Sequence, residues 1–96
     1  MVQFDRKRLA DLCRRHDVTR LRIFGSASRD QEGPGSDIDL LVDFGSPKGF
    51  FELLRLEDDL SAFFGRPVDL MTERGLSPYL KRPIVDSASV IFDAAA

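Results

Sequence analysis

Apolar positions along the chain fall into two alternating periods, helical and two-residue. Leu9, Leu12 and Cys13 recur at helical spacing behind Asp5, so a helix capped by Asp5 and ending near His16 is predicted. Val18 to Phe24 alternates apolar residues with Thr19, Arg20 and Arg22 and reads as a first strand that Gly25 ends. Ile38 to Phe44 reads as a second, stopped by Gly45, Ser46 and Pro47. From Gly49 to Phe64 the residues Phe50, Leu53, Leu54, Leu60, Phe63 and Phe64 follow a helical period, and Gly65 closes that helix. Arg66-Pro67 leads into a third strand, Val68 to Met71. Ser77-Pro78 has the pattern of an N-cap followed by Pro at the first helical position. Pro83 lies deep enough in that helix to predict a kink or a restart near Lys81 to Pro83, and Ser89 to Phe92 forms a short last strand. Tyr79 is expected to pack within this last segment. Strands alternating with helices predict an α/β fold, a small mixed sheet with helices packed on it.

Composition narrows the class without altering the fold. The 96 residues predict one domain, 1–96, and 43% hydrophobic with 31% charged residues is ordinary for a folded globular chain. No window approaches the ~18 apolar residues of a membrane span. The N-terminus has no apolar secretory core, so a cytoplasmic location is expected and a membrane role is not. Cys13 stands alone, which excludes a disulfide framework and a cysteine metal site and makes it a small buried hydrophobe. His16 in the last helical turn suits the helix C-terminus. Up to Arg22 seven basic residues face three acids, a net +4 that leaves −6 for the rest. That basic stretch is read first as a solvated helix face.

The chemistry concentrates between Phe24 and Phe44. Asp37 and Asp39 are two apart at the start of a strand, so their carboxylates project from one face while Ile38 and Leu40 point to the other. Adjacent like charges raise a pKa unless something positive intervenes, and Mg²⁺, which takes oxygen ligands and keeps waters and phosphates, would resolve the conflict. Asp69, between Val68 and Leu70, supplies a third acid in a matching strand pattern. If the two strands are neighbours, the three acids converge. Gly25-Ser26 ends the first strand with backbone N–H groups and a hydroxyl suited to cradle phosphate, ahead of a possible short helix from Ala27 and a loop from Arg29 to Ser36. A phosphate cradle facing a metal-binding acid cluster suits nucleotidyl transfer. The Walker-type phosphate loop and His-Glu-x-x-His are absent, and the single His disfavours a Ser-His-Asp triad.

Gly25-Ser26, ten intervening residues, then Asp37-Ile38-Asp39 resembles the signature of the DNA polymerase beta-like nucleotidyltransferase superfamily. In particular the chain resembles its minimal nucleotidyltransferases (MNT), the antitoxins of HEPN/MNT toxin–antitoxin modules, along "RIFGSASR", "SDIDLLVDF", "FFELLRLEDDLSAFFG", "RPVDLMTERGL" and "VIFDA". The resemblance implies that Asp37 and Asp39 bind two Mg²⁺ ions, that Asp69 joins the catalytic metal and helps deprotonate the acceptor, and that Gly25, Ser26 and Arg29 hold the triphosphate of ATP. It further implies transfer of AMP from ATP to a Tyr hydroxyl of a HEPN ribonuclease toxin, in a hetero-oligomer with that toxin. Nucleic acid is not expected as a direct substrate. Two alternatives stand beside this one: a non-catalytic antitoxin that blocks the toxin by binding, and a nucleotidyltransferase with a small-molecule acceptor. The chain departs from the family pattern at Asp30, where Gly often follows the Arg, and at Pro83 in what is usually a regular last helix.

Overall fold

The structure is a computed structural model that describes residues 4–25 and 37–95. Helix α1 (Arg6–Arg15) starts where expected, with Asp5 Oδ1 accepting the N–H groups of Lys7 at 3.0 Å and Arg8 at 3.2 Å. Strand β1 (Val18–Phe24), strand β2 (Ile38–Phe44), helix α2 (Phe50–Phe64) and strand β3 (Val68–Met71) follow. A 3-10 turn (Glu73–Gly75), helix α3 (Pro78–Ser87) and strand β4 (Ser89–Asp93) complete the order. Gly65 caps α2 in the left-handed conformation at φ 69°, where a residue with a Cβ would be strained.

The four strands form one mixed sheet in the order β3-β2-β1-β4. β1 runs antiparallel to β2 and β4, whereas β2 and β3 are parallel and joined through α2. The α/β class with helices on a small mixed sheet is therefore observed. Alternation decides what each face carries. Ile38, Leu40 and Val42 of β2 enter one core with Leu21 and Ile23 of β1, Val68 and Leu70 of β3, Leu9, Leu12 and Cys13 of α1, and Leu56 and Leu60 of α2. The intervening residues of β2, Asp39, Leu41 and Asp43, project from the other face. Leu41 and Phe24 are buried there, outside that core.

Three expectations need amendment. The last helix does not restart, because one helix spans Pro78–Ser87 with Pro83 inside it. No residue of α3 is buried, so the carbonyl that loses its partner to the Pro ring can turn to water. Tyr79 does not pack, being 91% exposed. On α2, Leu56 and Leu60 carry the burial, while Phe50 and Phe51 stand 69% and 75% exposed, stacked edge-on against each other.

Candidate active site

Register places the acids. In the parallel ladder Ile38 lies opposite Val68 and Asp39 opposite Asp69, so the two carboxylates leave the same face of adjacent strands. Asp37 immediately precedes β2, two residues before Asp39. Asp37 and Asp69 are exposed and Asp39 is half-buried. Burial, then the negative charge of Asp69, then that of Asp37 push the Asp39 carboxyl above the usual carboxylate range. The three sequence-predicted acids thus share one electrostatic neighbourhood.

Gly25 closes on the same spot. Phe24 pairs with Asp39 across β1 and β2, and Gly25 follows with φ at +74°. A Cβ built on Gly25 would lie 2.5 Å from Asp39 Oδ2, so conformation and space both exclude a side chain. The phosphate-cradle candidate is therefore beside the acids in space as well as in the motif. Ser26 and Arg29, the other two proposed nucleotide contacts, lie outside the described residues, as does Asp30.

Hard carboxylate oxygens are the donor type that Mg²⁺ prefers, and the strain on Asp39 is of the kind a cation relieves. As they stand, no three or more His, Cys, Asp or Glu side chains among the described residues are placed to hold a metal ion. An ion here would draw in the exposed side chains of Asp37 and Asp69 and complete its shell with water or phosphate oxygens.

Pairing separates these acids from others on the same face. Asp43, two residues beyond Leu41, accepts from Arg20 Nε at 2.9 Å and Arg22 Nη2 at 3.2 Å. Arg22 Nη2 also donates to Glu73 Oε1 at 3.2 Å. Among the described residues, no salt bridge involves Asp37, Asp39 or Asp69. One end of the sheet face is a neutralised network, and the other, among the described residues, is a cluster of unpaired acids. Arg22 is the polar residue that the strand pattern misjudged: it is only 5% exposed and its Nε has no hydrogen-bond partner. A cavity of about 500 Å³ lies at the far end of β2, lined by residues 42–50, Leu53 and Thr72 to Arg74, away from Asp37, Asp39 and Asp69.

Residues 6–91 match the family model described as a nucleotidyltransferase domain. The chain belongs to the nucleotidyltransferase family. A Methanocaldococcus jannaschii protein provisionally named a protein adenylyltransferase is 36% identical over 83 residues, 86% of this nucleotidyltransferase and 89% of the relative. A solved structure provisionally described as a minimal nucleotidyltransferase superposes with a TM-score of 0.76 at 37% identity, covering 88% of this chain and 86% of that one. The fold also matches a complex of tri-AMPylated Shewanella oneidensis HEPN toxin with its MNT antitoxin, at TM-score 0.68 and 21% identity over 92% of this chain and 69% of that one. This nucleotidyltransferase has no helix, among its described residues, long and apolar enough to cross a membrane.

Proposed function

We propose that this nucleotidyltransferase is an antitoxin that transfers AMP from ATP to a tyrosine hydroxyl of a cognate HEPN toxin. The observation that carries the reading is the register that sets Asp39 beside Asp69 with Gly25 packed on Asp39. The M. jannaschii relative is named for protein adenylylation, and the S. oneidensis complex pairs an MNT chain with an AMPylated HEPN toxin. Both support a protein acceptor.

In this reading Asp37 and Asp39 hold two Mg²⁺ ions and Asp69 shares one of them. Those ions supply charge neutralisation for the triphosphate and the leaving pyrophosphate, and lower the pKa of the attacking hydroxyl. Gly25, with Ser26 and Arg29, orients the triphosphate; the missing Cβ of Gly25 lets backbone and phosphate approach the acids closely. Asp69 accepts the phenolic proton as the tyrosine oxygen attacks the α-phosphorus. The bond to the β-phosphate oxygen breaks and pyrophosphate leaves. Half-burial of Asp39 strengthens its electrostatic coupling to whatever cation it meets.

The test is co-incubation of the chain with a HEPN partner, ATP and Mg²⁺, followed by intact-mass measurement of the partner. One or more added AMP units are expected, and none with Asp37→Ala or Asp39→Ala. An adduct that persists in both variants would overturn the site assignment. Protection of cells by adduct-free variants would favour a blocking antitoxin, and AMP appearing only on a small acceptor would replace the protein substrate.

A further inference from the structure

Asp69 stands on a strand of four residues at the edge of the sheet. Its inner flank is held by β2, where Ile38 N–H donates to the Pro67 carbonyl at 2.9 Å just before the ladder begins. Along a strand successive N–H groups point to opposite edges, so those of Val68 and Leu70 face away from β2. An edge N–H of this kind is ordinarily satisfied by water. Here neither is left to water. Ser61 Oγ accepts the Val68 N–H at 3.0 Å, and Glu57 Oε2 accepts the Leu70 N–H at 3.2 Å.

Glu57 and Ser61 are four apart on α2 and therefore share a helix face, and the two N–H groups they take are the ones on either side of Asp69. Electrostatics alone would not choose a glutamate here, because it adds a negative charge beside a strand that already carries Asp69 opposite Asp39. What Glu57 supplies is a fixed acceptor from a helix anchored by Leu56 and Leu60, both fully buried. We infer that Glu57 and Ser61 are positioning residues for Asp69: they clamp its strand from the outer edge and so hold the third carboxylate opposite Asp39. The clamp also closes the β3 edge to pairing with another strand. This inference rests on the proposed role of Asp69 and adds how that carboxylate is kept in place.

Three readouts on Glu57→Ala, Glu57→Gln and Ser61→Ala test it. Amide hydrogen exchange in the partner-free chain comes first: Leu70 should exchange faster in Glu57→Ala and Val68 faster in Ser61→Ala, with the Leu41 and Asp43 amides, which face β1, unchanged. Mg²⁺ titration should show about 10- to 100-fold weaker binding in Glu57→Ala, the range typical of losing a partner that orients a metal ligand. AMP transfer to a HEPN partner should lose kcat by a similar factor at unchanged KM for ATP. Glu57→Gln keeps the acceptor without the charge and should recover all three, which a role through charge would not allow. Wild-type exchange at Leu70 in Glu57→Ala, or undiminished Mg²⁺ binding, would overturn the inference. If the wild-type chain transfers no AMP, the proposed function falls, while exchange and Mg²⁺ binding still decide for or against the clamp.

Discussion

Replacing Asp39 by Asn should stabilise the metal-free protein. Strands in a sheet are about 4.8 Å apart, and Asp39 lies opposite Asp69. Two unit charges about 5 Å apart repel by about 0.8 kcal/mol in bulk water and about 3 kcal/mol at an effective dielectric near 20. Because Asp37 and Asp69 are exposed, the lower part of that range applies, and we take ~1 kcal/mol for the repulsion that the substitution removes. For a domain of this size that corresponds to a rise in Tm of about 4–8 °C. The pH dependence has a definite sign. The folded-state pKa of Asp39 is raised, so the folded chain holds the proton more tightly than the unfolded one. The penalty is therefore complete above the folded pKa and disappears as pH falls through it. Thermal unfolding in EDTA at neutral and acidic pH should show the Asn variant ahead at neutral pH and the gap closing on acidification. Mg²⁺ at about ten times its Kd adds ~1.4 kcal/mol to the wild type and should cancel the advantage of the variant. An Asn variant that melts below wild type in EDTA at neutral pH would refute the reasoning, since it would mean that the carboxylate is held by a favourable partner.

Other substitutions probe the neighbourhood. Gly25→Ala forces a Cβ into the left-handed region and against Asp39 Oδ2, so it should cost about 1–2 kcal/mol from backbone strain alone in urea unfolding and abolish nucleotide binding in a direct titration. Arg22→Ala strands Glu73 and leaves Asp43 with Arg20 alone; a loss of about 2–3 kcal/mol in the same assay is expected, short of a fully buried pair because both carboxylates keep some water and Asp43 keeps one arginine. Cys13 is buried and its thiol pushed up to about 12, chiefly by desolvation, so alkylation at pH 8 should proceed only at the rate of unfolding. Rapid labelling of the folded chain would contradict that burial.

Much of the site was legible because a strand has a two-residue period. Asp37 and Asp39 flanking Ile38 define a polar face and an apolar face without reference to any other strand. Asp69 was readable as the same pattern repeated, but its register against Asp39 was not, since it depends on how α2 returns the chain to the β2 edge. Arg22 escaped for the opposite reason. Alternation marked it as solvent-facing, yet β1 is a central strand, and Asp43 from β2 and Glu73 from beyond β3 enclose its guanidinium. The clamp from Glu57 and Ser61 was invisible too. Both look like the polar positions of an amphipathic helix, and only tertiary placement aims them at backbone N–H groups. Tyr79 was misjudged because α3 has an apolar pattern but buries none of it.

The two acids of β2 on this face, Asp39 and Asp43, start with equal chemistry and meet opposite ends. Asp43 receives two arginines from β1, and the second of these, Arg22, also reaches Glu73. Asp39 lies two positions from Leu41 in the other direction and receives instead the carboxylates of Asp69 and Asp37 and the bare backbone of Gly25. A fold under selection for stability alone could apply to Asp39 the remedy it applies to Asp43, because Arg22 is cross-strand from Leu41, between the two acids. It directs that cation away from the cluster. An acid cluster with no cationic partner among the described residues leaves its negative charge open to a cation from solution; burial first, then the charges of Asp69 and Asp37, raise the pKa of Asp39, and the same repulsion underlies the expected response to Mg²⁺.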